Sequence, residues 1–437
     1  MSHATAERRY IAQPARSVAG ELTVPGDKSI SHRALMLGGI AEGQTSISGF
    51  LPSADCLATL TALRSLGVFI SRPTETQVRV HGVGRHGLRA AERALDLGNA
   101  GTAIRLLMGL LAGQRFDSTL IGDASLMRRP MERVAAPLRL MGAQIETQDG
   151  KPPVRIHGAS GLRAIDYALP IASAQVKSAL LLAALYAQGK SQISEPAPTR
   201  DHTERMLRGF GVQLNSEAGR VTLAGGQRLR GCDIEVPGDF SSAAFFIVAG
   251  CLAATQGLTI RNVGVNPTRT GLLEILRLMG ADIELQPHDG EAPEPVADIH
   301  VRACRLHGIA VPEALVAPSI DEFPVLFIAA AAAAGETLVT GAAELRVKES
   351  DRLAVMATGL SALGIGCELL PDGIRIQGGP MHGGRIDSQG DHRIAMAFAI
   401  ASLAASEPIE IADVANVATS FPGFPRLARA AGLALED

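Results

Sequence analysis

Val24-Pro25-Gly26-Asp27-Lys28-Ser29-Ile30-Ser31-His32-Arg33-Ala34-Leu35 decides how the rest of the chain is read. A Pro-Gly-Asp turn stops an extended run, and an apolar-periodic segment opens directly after it. The pattern predicts a helix start around Lys28, Ser29 and Ser31. Backbone N–H groups at a helix start lack intrahelical partners, and the helix dipole favours an anion there. Ser29 and Arg33 are spaced to share one helical face. Cations and hydroxyls around such N–H groups suit a phosphate or a carboxylate. Ordinary capping would explain one such turn. It does not explain the recurrence.

Onward from Gly26 one phrase keeps returning: a small or Gly-rich turn, an apolar helix, a Gly, a β-like run, a second helix and a closing Leu/Met-Gly. Later copies open at Gly98-Asn99-Ala100-Gly101-Thr102, at Pro170–Gln175, at Val236-Pro237-Gly238-Asp239, near Pro318–Asp321 and at Gly390-Asp391-His392-Arg393. A period of roughly 70 residues exceeds common solenoid repeats and suits a βαβ-type unit with extra strands. Leu106–Leu111 and Ala179–Ala187 are nearly continuous apolar runs and predict buried helices. Gln77–His81 and Ile374–Gln377 alternate and predict half-buried strands. Helices buried on most faces, beside polar-faced strands, place the helices inside a wall of sheet. Val-Pro-Gly-Asp at Val24 and again at Val236 marks two crossings of one hinge. The expected domains are therefore 24–237, and 1–23 together with 238–437.

Over 437 residues the formal charge is −3, with 46% hydrophobic residues, 3% aromatics and no Trp. No basic run is interleaved with aromatics, so a nucleic-acid surface is not expected. Basic residues beside the Gly-rich turns must act locally, on small anions. The five cysteines, Cys56, Cys232, Cys251, Cys304 and Cys367, have no metal or redox spacing and read as buried thiols of a reducing compartment. The N-terminus shows no apolar signal stretch, and no apolar run reaches the ~18 residues of a membrane span. The cytoplasm is the expected location.

The first half supplies Lys28, Ser29, Arg33, Gly101, Arg129, Ser173, Gln175 and Arg200 at or near helix-opening turns. The second supplies Asp321-Glu322, Lys348-Glu349-Ser350-Asp351-Arg352 and Asp391-His392-Arg393. Lys348 and Arg352 are spaced to share a helical face with Glu349 beside them. Carboxylates among so many cations read as proton-transfer groups. Gly82–Gly87 matches G-x-G-x-x-G, but Leu107 stands about 20 residues on, where a ribose-binding acid is needed. His32 and His392 follow helix-opening turns and read as structural.

Taken together, these segments resemble the 5-enolpyruvylshikimate-3-phosphate synthase family. The resemblance runs through Pro25–Ser29 with Arg33, Gly98–Thr102 with Arg105, Arg129-Pro130, Ser173–Lys177, Thr199–Glu204, Asp321–Pro324, Lys348–Arg352 and Asp391–Ala395. Ser-Ala-Gln and Thr-Arg-Asp-His-Thr-Glu resemble its class II branch. The resemblance implies an α/β fold of two domains, each of three βαβαββ repeats with helices inside and sheets outside (an inside-out α/β barrel). A double-crossover hinge would join them, with the active site in the cleft between.

It also implies transfer of the enolpyruvyl group of phosphoenolpyruvate to the 5-hydroxyl of shikimate 3-phosphate, without cofactor or metal, by a monomer with no membrane partner. Catalysis would fall to Asp321, Glu349 and Lys28. Shikimate 3-phosphate would be held by Lys28, Ser29, Arg33, Ser173, Ala174, Gln175, Arg200, Asp321 and Lys348. Phosphoenolpyruvate would be held by Lys28, Gly101, Arg129, Gln175, Arg352 and Arg393. Thr419 replaces a Lys of the other branch and is assigned no ligand. The amino-sugar enolpyruvyltransferase of wall synthesis, acting on UDP-N-acetylglucosamine, and a non-catalytic repeat scaffold are the alternatives.

Overall fold

The computed structural model describes residues 8–158, 161–217, 219–288 and 293–437. Contacts divide the chain into two compact units, one running from Gly26 to Val236 and the other combining the segment up to Pro25 with Pro237–Asp437. The division falls slightly inside the expected 24–237. Val24 is buried in the same core as Phe240, and the Asp239 N–H donates to the Pro25 carbonyl at 2.8 Å. Val236 stays in the core of the Gly26–Val236 unit. Of the expected N-terminal contribution to the second unit, residues 1–7 lie outside the described residues.

The Gly26–Val236 unit is mixed α/β. Its helices Lys28–Ile40, Gly101–Ala112 and Ala174–Ala184 are buried along almost their whole length after the first turn. Three sheets share one pairing pattern. In order they are Asp233–Glu235, Glu42–Ser48, Val78–Val83, Phe69–Ser71; then Leu95–Asp96, Ser118–Ile121, Lys151–His157, Gln144–Gln148; then Asp166–Ala168, Lys190–Ser194, Arg220–Ala224, Leu214–Glu217. In each the first two strands run parallel and the remaining pairs antiparallel. Asp233–Glu235 comes from the end of the unit and joins its first sheet, Ile234 opposite Ile47. The repeat read from sequence thus reappears as a repeated strand order.

The helix expected over Ala179–Ala187 ends at Ala184, and Ala187–Gln188 instead pairs as a short strand with Leu162–Arg163. Tyr186 fills the turn between them, its ring against Gly113. Small residues decide how closely the buried helices approach. A Cβ added to Gly109 would stand 2.0 Å from the Ala179 carbonyl oxygen, so a side chain there would drive apart the Gly101–Ala112 and Ala174–Ala184 helices.

The second unit repeats the theme. Helices Phe240–Ala253, Phe323–Ala332 and His392–Ala401 are buried on all sides, a consequence of Ala- and Phe-rich sequence with hardly any charge. Its sheets are Asp282–Pro287, Val296–Arg302, Leu258–Gly264, Gly20–Thr23; Glu336–Val339, Gly373–Gln377, Gly366–Leu370; and Gly384–Asp387, Ile409–Ala412, Tyr10–Gln13, Ala434–Glu436. The strands before Pro25 therefore complete two of them. No helix among the described residues is long and apolar enough to cross a membrane. Cys56 and Cys251 are buried, but Cys232, Cys304 and Cys367 are partly exposed, which corrects the reading of all five as buried. The three lie at sheet margins or on loops, where a neighbour covers only one side.

Gly109→Ala is expected to destabilise its unit by at least about 3 kcal/mol, because backbone overlap outweighs the gain of about 1 kcal/mol in helix propensity. Thermal unfolding checks this. A Tm lowered by roughly 6 °C or more is the expected result.

Candidate active site

In the Gly26–Val236 unit the site starts from Asp27. Its side chain caps the first helix by accepting the Ile30 N–H at 2.8 Å, so Lys28 and Ser29 occupy the first turn. Lys28 Nζ lies 3.1 Å from Asp55 Oδ2, on the helix Ala54–Ser65. Ser31 turns inward and accepts the Leu51 N–H at 3.1 Å, which leaves Ser29 as the outward hydroxyl of the turn. Arg33 is 3% exposed. It donates to Thr203 Oγ1 at 2.7 Å, Ser178 Oγ at 2.8 Å and the Ser29 carbonyl at 2.9 Å.

His32 points the other way, into the core. Its Nδ1 lies 2.8 Å from Thr59 Oγ1, and burial, reinforced by Lys28 and Arg33, pushes the imidazole down to about 3. It is neutral at physiological pH and structural, as its position after the turn suggested.

A second group forms where the Gly101–Ala112 and Ala174–Ala184 helices begin. Arg129 donates to Asn99 Oδ1 and, at 3.2 Å, to Ser125 Oγ. Arg105 donates to Gln175 Oε1 at 2.7 Å and to the Pro130 carbonyl at 3.2 Å, and Gln175 donates in turn to Thr102 Oγ1 at 3.0 Å. Gln175 is thereby fixed in one orientation. A Cβ on Gly101 would meet Arg129 Nη1 at 2.8 Å, so the glycine gives that guanidinium its room. Ser173 caps its helix by accepting the Val176 N–H, and Ala174 is the first helical residue, contributing backbone there. Arg200 is partly exposed, just before the helix His202–Gly209.

In the second unit Asp321 Oδ1 lies 3.4 Å from Lys348 Nζ and 3.5 Å from Arg352 Nη1. Arg352 is 1% exposed and also contacts Asp391 at 2.8 Å and Glu349 at 2.6 Å. Burial opposes its charge, but Asp391, Glu349 and Asp321 more than offset this and hold the guanidinium's pKa above its ordinary value. Arg393 donates to the Asp321 carbonyl at 3.0 Å and lies 3.6 Å from Glu322 Oε1. Lys348 does not share a helical face with Arg352: Asp351 caps a helix that begins at Arg352, and Lys348 ends the preceding turn. Lys348 and Arg352 meet through Asp321 instead. The Thr419 hydroxyl donates to the Asn416 carbonyl of its own turn.

Residues beyond the sequence expectation complete both groups. Asp55, Thr203 and Ser178 hold Lys28 and Arg33. In the second unit Arg269, 3% exposed, donates to Ser241 Oγ at 2.6 Å and lies 3.6 Å from both Glu322 and Asp239, while Ser241 donates to Glu322. Nothing local to Asn266–Arg269 signals this, because each partner lies far away in sequence. Among the described residues, no group of three or more His, Cys, Asp or Glu is arranged to hold a metal ion.

Buried arginines at helix starts in one unit, and a carboxylate held between two cations in the other, are equipment for handling small anions and moving a proton. A sequence profile described as EPSP synthase (3-phosphoshikimate 1-carboxyvinyltransferase) matches residues 12–427. The chain belongs to the EPSP synthase family. Similar proteins include the 3-phosphoshikimate 1-carboxyvinyltransferase of Alkalilimnicola ehrlichii, 62% identical over 98% of this chain and 96% of that one. That of Methylococcus capsulatus is 58% identical over 98% of each. The solved EPSP synthase of Acinetobacter baumannii aligns with a TM-score of 0.87 at 52% identity, covering 98% of this chain and 99% of that chain. An EPSP synthase family member therefore carries these side chains on the elements just described.

His32 predicts an acid limb. The ordinary imidazole value is 6.5 and the folded value about 3, so between these pH values the unfolded chain binds the extra proton. Stability is full above about pH 6.5 and falls with acidification, at up to about 1.4 kcal/mol per pH unit from this group. Denaturant midpoints from pH 7 to 4 should fall less steeply in His32→Gln than in the parent. Parallel slopes would show that the imidazole is not shielded from protons.

Proposed function

We propose that the chain transfers the enolpyruvyl group of phosphoenolpyruvate to the 5-hydroxyl of shikimate 3-phosphate, releasing inorganic phosphate, in the shikimate pathway to aromatic amino acids. The observation that carries this reading is Asp321, a carboxylate oriented by Lys348 and Arg352 within a family match spanning residues 12–427.

Asp321 accepts the proton of the 5-hydroxyl. Glu349, with Lys28, delivers a proton to the methylene carbon of phosphoenolpyruvate. The neighbouring carbon becomes electrophilic, the sugar-like oxygen adds, and a tetrahedral phospho-ketal forms. Loss of a proton from the new methyl group, with departure of phosphate, gives the enolpyruvyl ether. Lys28, Ser29, Arg33, Ser173, Ala174, Gln175, Arg200, Asp321 and Lys348 hold shikimate 3-phosphate. Lys28, Gly101, Arg129, Gln175, Arg352 and Arg393 hold phosphoenolpyruvate. In this reading each unit is a trio of βαβαββ repeats with helices inside and sheets outside, and the enzyme works as a cytoplasmic monomer. Family membership disfavours the UDP-N-acetylglucosamine enzyme and the non-catalytic scaffold.

Phosphate release on mixing the protein with phosphoenolpyruvate and either acceptor tests the assignment. Shikimate 3-phosphate should support turnover, and UDP-N-acetylglucosamine should not. Asp321→Asn should lower kcat by about 10²–10⁴-fold, the usual worth of a positioned base. Full turnover in that variant would remove Asp321 from the role. Gly101→Ala presses a methyl against Arg129, whose flexible end can yield. It should therefore raise the KM for phosphoenolpyruvate while leaving Tm nearly unchanged.

A further inference from the structure

We propose that Lys177, Glu195 and Thr199 form a positioning clamp that sets Arg200 for the phosphate group of shikimate 3-phosphate. The proposal rests on the assignment of Arg200 to that substrate above. Lys177 is the lone charged residue of the helix Ala174–Ala184 and is 1% exposed. An ammonium at that depth needs partners, and its partners show what it holds. Lys177 Nζ lies 3.0 Å from Glu195 Oε1 and 2.9 Å from Glu204 Oε1, and donates to the Thr199 carbonyl at 3.3 Å. Glu195 then accepts the Thr199 N–H at 3.2 Å and the Thr199 hydroxyl at 2.5 Å. All three polar groups of Thr199 are thus tied to one buried ion group.

The segment between the strand Lys190–Ser194 and the helix His202–Gly209 contains Pro196 and Pro198, which have no N–H to anchor it. Side chains therefore do that work. On the other side of Arg200, the Asp201 carboxylate accepts from Arg205 Nε at 2.8 Å and its carbonyl accepts the Arg205 N–H at 3.0 Å. Arg200 sits between two pinned residues, with its own side chain partly exposed.

The anchoring helix is also the one that presents Ser173, Ala174 and Gln175, and its Ser178 receives Arg33 at 2.8 Å. One turn of helix therefore holds Arg33 through Ser178 and the approach to Arg200 through Lys177. Burial pulls the Lys177 pKa down, but Glu204 and Glu195 more than offset this and hold it above the ordinary lysine value. Lys177 therefore stays charged across the working range of an enzyme.

Steady-state kinetics on Thr199→Val, Lys177→Met, Arg200→Ala and the Thr199→Val/Arg200→Ala double variant test the clamp, with Tm recorded for each. Thr199→Val removes one hydroxyl and should raise the KM for shikimate 3-phosphate about 5- to 10-fold, with that for phosphoenolpyruvate changed less than about twofold. Lys177→Met should do the same or more. If Lys177→Met does not fold, Glu195→Gln takes its place with the same expectation. In the Arg200→Ala background Thr199→Val should add less than about twofold, because its effect passes through Arg200.

Equal rises in both KM values, no rise at all, or effects that multiply in the double variant would overturn the clamp. An Arg200→Ala variant with unaltered KM for shikimate 3-phosphate would remove Arg200 from the acceptor set, and the clamp with it. No turnover in the parent protein would instead overturn the transferase reading.

Discussion

A guanidinium taken out of water has to be met by oxygen acceptors, and this requirement governs the construction of both units. Arg33, Arg105, Arg129, Arg269, Arg352 and Arg393 are all buried. Each draws at least one partner from an element separate in sequence, so each is fully met only when those elements have reached their places. Breaking such an arrangement by removing one partner typically costs about 3–5 kcal/mol, while replacing it with apolar side chains is often neutral. Stability alone therefore does not account for so many buried arginines. A charge held in position before a ligand arrives needs no reorganisation when it arrives, which is what the proposed ligand roles of Arg33, Arg129, Arg352 and Arg393 require.

Several kinds of acceptor meet the requirement. Arg33 is met by the hydroxyls of Thr203 and Ser178, Arg105 by the amide of Gln175, and Arg129 by the amide of Asn99. Hydroxyl and amide oxygens satisfy N–H groups without themselves bringing a negative charge. Arg352 is met by the carboxylates of Asp391, Glu349 and Asp321. That pattern offsets much of the positive charge internally and sets acids beside the cations.

Much of this was legible before any coordinates. The turn at Asp27 and the apolar period behind it state a helix start, and its recurrence states the repeat, because both are local patterns. Long-range pairing is not local. Asp55 sits in the first turn of its own helix with no mark that Lys28 will meet it, and Arg269 lies in a segment of no distinctive spacing. Lys348 and Arg352 fall on different elements because Asp351, between them, has a side chain that favours ending one turn and capping the next. One long-range pairing does leave a mark in the sequence. A lysine inside the apolar run that follows Gln175 has to be paired, and Glu195 and Glu204 flank the nearest polar stretch.

The chain's path through its sheets bears on how it is made. Everything needed for the Gly26–Val236 unit is contiguous and leaves the ribosome in one piece. Among the described residues, the strand Tyr10–Gln13, by contrast, pairs with Ile409–Ala412 and Ala434–Glu436. At roughly 5–20 residues per second, this strand waits some tens of seconds for partners about 400 residues further along the chain. Until they are made, its backbone N–H and C=O groups lack their ladder partners and are open to mispairing between nascent chains. A strand of only four residues offers such partners little to grip.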